Sequence, residues 1–141
     1  MWSISPPHLQ LLRMLWERSQ CHIVLSTAWR NGKRQRAELL SHLSSIGINV
    51  DTIVLGDTPN FHKRSDMPAD LAHLRVCEIR AWLEESGIDV YSWVAVDDMP
   101  LHRFETDFIQ DHFVQTNCHE GLTEKKVQAI LRLFDNNATS I

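Results

Sequence analysis

The chain has 141 residues, 43% hydrophobic and 23% charged, with a formal net charge of −4. This composition excludes a disordered chain and suits one domain large enough to bury a core without staples. The acidic balance excludes a surface that binds nucleic acid throughout, but it leaves room for a local basic patch.

Ser5 and Pro6 open a first helix, with Leu9, Leu12, Leu15 and Trp16 at helical spacing. Cys21 to Leu25 reads as a short buried strand that ends in Ser26-Thr27-Ala28-Trp29-Arg30. A second helix is predicted from about Lys33 to Ile46, with Leu39, Leu40, Leu43 and Ile46 on its apolar face and Gly47 as its stop. Thr52 to Leu55 predicts a second strand that ends at Gly56-Asp57-Thr58-Pro59. The stretch from Asn60 to Ala69 lacks periodicity and contains Pro68, so it reads as a loop.

The third helix spans about Asp70 to Ser86, with Leu71, Leu74, Ile79, Trp82 and Leu83 facing inward. Tyr91 to Val96 predicts a third strand ending in Asp97-Asp98. A fourth apolar piece, His112 to Gln115, precedes a turn at Gly121-Leu122-Thr123. Thr123 caps the last helix, whose stripe is Val127, Ile130, Leu131 and Phe134. The single domain is expected to occupy residues 1–135, with a polar tail at 136–141 expected to fray.

Short apolar strands alternating with amphipathic helices imply an α/β fold, a Rossmann-like parallel sheet with helices on both faces. Ligands bind such sheets beyond the C-terminal ends of the strands. Those ends carry Ser26-Thr27, Asp57-Thr58, Asp97-Asp98 and Thr116. Hydroxyls and carboxylates therefore collect at the edge where a site is expected.

Cys21, Cys77 and Cys118 show no Cys-x-x-Cys spacing. Reduced thiols in a cytoplasmic setting are the simpler reading. No apolar run is long enough for a membrane helix, and no secretory signal is visible.

Two adjacent carboxylates at a strand end are costly unless a positive group lies between them. Asp97 and Asp98 are thus expected to bind Mg²⁺, a hard cation held by carboxylates, water and phosphate. Ser26 and Thr27, leading into backbone amides, suit a phosphate oxygen, though an ordinary helix cap would look the same. Arg30, Lys33, Arg34 and Arg36 place four cations near the start of a helix, where the dipole disfavours them. They read either as a solvated basic face or as a contact for a nucleic-acid backbone. Arg75 is placed to neutralise a phosphate or a carboxylate cluster; alternatively it pairs with Glu78 or another nearby acid. His112, Cys118 and His119 fit no trusted zinc spacing, and no Ser/His/Asp triad is legible.

The pieces in this order resemble the haloacid dehalogenase-like (HAD) hydrolases, in particular the HAD domain of Swiss Army Knife RNA-repair proteins. Ile23-Val24-Leu25-Ser26-Thr27-Ala28-Trp29-Arg30 is similar to the second motif of that family. Arg75 with Glu78-Ile79 and Trp82-Leu83 resembles the third, and Trp93 to Asp98 the fourth. Thr116 to Leu122 looks like the closing segment. The resemblance implies a Mg²⁺-dependent phosphohydrolase in which Ser26 binds the phosphoryl group, Arg75 stabilises its charge and Asp97-Asp98 hold the metal. It implies a phosphorylated substrate, either a nucleic-acid end or a small phosphoester.

The sequence departs from the family at its first motif, an apolar strand ending in Asp-x-Asp-Gly, which supplies the nucleophile. No acidic residue precedes Glu17. That strand is central in the family's sheet, between the strands of the second and fourth motifs. The expectation is a domain truncated at its N-terminus, lacking its central strand and inactive as an isolated chain. The alternative is a non-catalytic relative that binds a phosphorylated ligand or a partner protein. A phospho-acceptor receiver domain fits less well, because its acidic pair would end the first strand rather than the third.

Overall fold

The computed structural model describes residues 6–26, 33–62, 64–117 and 119–139. Helix α1 runs Pro6–Ser19, and strand β1 covers Ile23–Leu25, shorter than the predicted run from Cys21. The expected cap Ser5 lies outside the described residues. Helix α2 spans Lys33–Ser45. It stops as expected at Gly47, whose φ of +94° suits a residue without a Cβ. There Gly47 N donates to Ser44 O (3.1 Å) and Ile48 N to Leu43 O (3.1 Å), which satisfies two carbonyls of the last turn.

The second strand lies further along than its apolar run predicts. Val50–Ile53 form a helical turn, α3, and strand β2 is Val54–Asp57. Asn49 explains the shift. Its side chain accepts from Asp51 N (3.2 Å) and its carbonyl accepts from Ile53 N (2.9 Å). A good cap here overrides the β preference of Thr52 and Ile53.

Helix α4, Leu71–Glu85, is capped by Asp70, which accepts from Ala72 N and His73 N. Its buried face is Ala72, Leu74, Val76, Glu78 and Ile79. Leu71, expected to face inward, is half exposed at 50%, although Ala72 and Leu74 of the same turn are buried. Strand β3 is only Ala95–Asp97. Trp93, expected within it, instead stacks on His112 at 4.1 Å, and His112 Nδ1 donates to its carbonyl (3.0 Å). The ill-defined stretch after β3 folds as a 3₁₀ turn over Leu101–Arg103, a short helix α5 over Thr106–Ile109, and a second 3₁₀ turn over Gln110–His112. Leu101 and Ile109 are fully buried, so this stretch is core rather than loop. Strand β4 is Phe113–Gln115. Helix α6 is Glu124–Thr139, and Thr123 Oγ1 accepts from Lys126 N (3.2 Å) at its start. Val127 and Ile130 are its buried residues.

The strands form two separate parallel pairs among the described residues, β1 with β2 and β3 with β4. Ile23 faces Val54 and Leu25 faces Asp57, with an irregular step after Ile23. Ala95, Val96 and Asp97 face Phe113, Val114 and Gln115 in step. The fold is therefore α/β with a reduced sheet, and the division falls between the pair leading to Ser26 and the pair ending in Asp97. No strand among the described residues joins them, in keeping with the expected lack of a central strand.

Each pair has its own apolar cluster. Leu43, Ile46 and Ile48 centre one, with Leu9, Leu12 and Trp16 of α1 and Ile23 of β1 against it. Ala72, Val76, Ile79, Leu101 and Ile109 centre the other. Burying each such Leu, Ile or Val side chain contributes roughly 1.5–3 kcal/mol. Contacts between α1 and α6 tie the ends of the chain together, and His8 Nε2 donates to the Glu120 carbonyl (2.7 Å).

Candidate functional site

The parallel register brings the C-terminal ends of β3 and β4 side by side. Thr116 N donates to Asp97 O (2.9 Å), extending the ladder one step beyond the strands. Thr58 N does the same to Leu25 O (2.9 Å) on the other pair.

Asp97 is 5% exposed, and a buried carboxylate needs partners. Arg75, one turn into α4, supplies them: its Nη1 lies 2.7 Å from both Asp97 oxygens. Met99 N donates to Oδ1 as well (3.0 Å). Burial pushes the Asp97 carboxyl above the ordinary aspartate range and the adjacent Asp98 adds to that, while the Met99 amide and Arg75 pull it down. Asp98 is more open, its side chain 42% exposed, with Oδ1 4.0 Å from the same Arg75 nitrogen. The positive group expected beside the two aspartates is thus, in the first instance, Arg75. Its partner is not Glu78.

Asp98 lines a shallow open cleft of about 360 Å³ with Gln115, Thr116, Asn117 and Lys126. Gln115 Nε2 donates to Asp98 O (3.1 Å) and holds the two strand ends together. The cleft offers a carboxylate, a hydroxyl, two amides and one ammonium, a set that suits a hydrated anion or its counter-cation.

Ser26 follows β1 directly and is half buried. Thr27 and Arg30, the other two expected phosphate contacts, lie outside the described residues. The basic stretch is partly committed to ion pairs. Arg36 reaches Asp57 at the end of β2 through Nη2 (2.9 Å) and Nε (3.0 Å), so that strand-end carboxylate is neutralised within the fold. Arg34 pairs with Glu38 at 3.4 Å on an exposed face, and Lys33 is exposed. His112 is committed to Trp93, and Cys118 lies outside the described residues.

Two residues not singled out as site residues belong to this region. Lys126, in the first turn of α6, enters the cleft although nothing in its sequence surroundings marks it. Glu78 is only 2% exposed, and its Oε2 accepts from Phe61 N (2.8 Å), fixing the loop after β2 to α4. The run Leu74-Arg75-Val76-Cys77-Glu78 contained the signal, since an acid at Glu78 falls on the apolar side of the helix.

Mg²⁺ fits Asp98, whose carboxylate opens onto oxygen-bearing Gln115, Thr116 and Asn117. It fits Asp97 less directly, because both oxygens of that residue face Arg75.

The chain is thus a small α/β domain with a reduced parallel sheet and an Arg75–Asp97 ion pair at the end of β3. The family described as the HAD domain in Swiss Army Knife RNA repair proteins matches residues 2–127, and the chain belongs to that family. No curated protein and no solved structure matches it. No described helix is long and apolar enough to cross a membrane.

Proposed function

We propose that the chain is the phosphate- and metal-holding part of a Mg²⁺-dependent phosphohydrolase that acts on phosphorylated nucleic-acid ends or small phosphoesters. The observation that carries this reading is Arg75 bound to Asp97 beside the Asp98 cleft. Asp97 sets the position of Arg75, and Arg75 and Lys126 offer positive charge to a phosphoryl oxygen. Ser26, with Thr27 and Arg30 after it, is the matching phosphate-binding turn. When bound, Mg²⁺ would be held by Asp98, joined by Asp97 where Arg75 turns to the phosphate, and would neutralise substrate charge. Lys33 and Arg34 supply the exposed charge for a nucleic-acid backbone. The cysteine pattern supports a reducing, cytoplasmic setting.

No Asp-x-Asp occurs anywhere in the sequence, so the chain by itself is expected to bind phosphate without cleaving the ester. A second reading, a non-catalytic phosphate-binding relative, is favoured by the two Asp97 oxygens being already engaged by Arg75. Calorimetry with Mg²⁺ and a 5′- or 3′-phosphorylated oligonucleotide tests the shared core of both readings. Binding should require the terminal phosphate and should weaken about tenfold or more in Lys126→Ala and Asp98→Asn, the loss of one charged contact being worth roughly 1.4 kcal/mol. Equal affinity for the unphosphorylated oligonucleotide would defeat both. Turnover of a phosphomonoester by the purified chain would exclude the second.

A further inference from the structure

On the opposite side of Arg75 from Asp98, α4 carries an arrangement that the site above does not use. His73 and Cys77 stand four residues apart, one helical turn, so both project from the same face. Glu105 reaches this face from the loop that follows the first 3₁₀ turn. One nitrogen of His73, the Cys77 sulfur and a Glu105 oxygen all lie within 4.8 Å of one another.

Neighbouring residues hold His73 and Glu105 in place. The His73 ring stacks on Phe104 at 4.9 Å and 8°. Glu105 Oε1 pairs with Arg80 Nη2 (2.8 Å), which leaves Oε2 facing the Cys77 sulfur at 4.0 Å. Glu105 itself sits in the left-handed region, at φ 47° and ψ 51°, a conformation that non-glycine residues rarely take. Phe108 N (2.9 Å) and Ile109 N (3.3 Å) both donate to its carbonyl and hold it there. An open groove lined by Arg80, Glu105, Thr106 and Asp107 gives water access to the carboxylate.

We infer that His73, Cys77 and Glu105 form a site for a borderline divalent cation, with Zn²⁺ the natural occupant. An imidazole, a thiol and a carboxylate are the zinc donor set, and a tetrahedral Zn²⁺ spaces its ligand atoms roughly 3.5 Å apart. The three atoms, all within 4.8 Å of one another, already stand near that spacing. Mg²⁺ is excluded by its demand for oxygen ligands. Binding displaces the thiol proton to solvent, and water from the groove completes four-coordination. Arg80, bonded to the other carboxylate oxygen, orients that ligand from outside. The metal would clip the start of α4 to the loop after β3, on both sides of the helical turn that presents Arg75. This site does not depend on the proposed phosphate chemistry.

Co²⁺ titration of the chelator-stripped full chain reads the proposal directly. One equivalent should produce a near-ultraviolet thiolate-to-cobalt charge-transfer band, and Zn²⁺ should displace it while a large excess of Mg²⁺ does not. Cys77→Ser should abolish the band, and Glu105→Gln should weaken Zn²⁺ binding by about tenfold or more. A Cys21→Ser/Cys118→Ser double variant should keep the band. Absence of the band in wild type, its survival in Cys77→Ser, or its loss in the double variant overturns the site. Far-ultraviolet spectra of each variant separate loss of metal from loss of fold.

Discussion

One nitrogen of Arg75 binds both oxygens of Asp97 at 2.7 Å, across 22 residues of sequence and with Asp97 almost wholly enclosed. Taking away one partner of such a pair strands a charge in a poor solvent. Arg75→Ala should therefore cost about 3 kcal/mol in urea unfolding at neutral pH. Replacing both residues with apolar ones of similar volume should cost less than Arg75→Ala alone. An Arg75→Ala chain as stable as wild type would show that the pair carries no such weight.

Glu78 joins two parts of the fold that no continuous sheet links among the described residues. Its buried Oε2 holds the Phe61 amide (2.8 Å) after β2, while its helix packs on the β3–β4 side. Glu78→Leu removes the acceptor and should cost about 1.5–3 kcal/mol, the typical worth of a hydrogen bond to a charged group. Glu78→Gln keeps an oxygen and should cost less. Hydrogen exchange at Phe61 distinguishes this from general destabilisation: the amide should lose protection in Glu78→Leu more than amides in α2 do.

The parts legible in the sequence were those set by local rules. Long helices with apolar stripes and good stops, such as α2 ending at Gly47, fall where they are predicted. Strands of three or four residues are too short for their own pattern to fix their ends, so the Asn49 cap moved β2 and the Trp93–His112 stack shortened β3. The site divides along the same line. Asp97-Asp98 and Arg75 stand out as residue types at strand ends and helix starts. Arg36 looks like part of a charge run until folding brings Asp57 to it, and Lys126 and Glu78 gain their places from packing between distant segments.

Gly121 and His8 meet where α1 packs against the turn before α6. Gly121 has φ +64°, and a Cβ there would lie 3.3 Å from His8 Nε2. That nitrogen already donates to Glu120 O. Gly121→Ala should cost about 1–2 kcal/mol from the left-handed backbone alone. Gly121→Ala in a His8→Ala background should cost less than in wild type, because the crowding is gone. Equal costs in both backgrounds would mean that the backbone term accounts for the whole effect.

Cys77 should be a slow thiol in the metal-free protein. Burial raises its pKa above the ordinary cysteine range; Glu105 and Glu78 raise it further, and Arg80 opposes them. A raised folded-state pKa means that this group favours folding below the unfolded pKa. That contribution is lost as pH climbs through the folded value. With Cys21 and Cys118 replaced by Ser, the iodoacetamide rate at neutral pH should fall below that of the urea-unfolded chain. Its midpoint should lie at higher pH than in the unfolded chain. Glu105→Gln removes one of the charges that raise the thiol and should move the midpoint back down. Arg80→Ala should move it further up. A midpoint at or below that of the unfolded chain would mean that the carboxylates around Cys77 do not act on it as their placement requires.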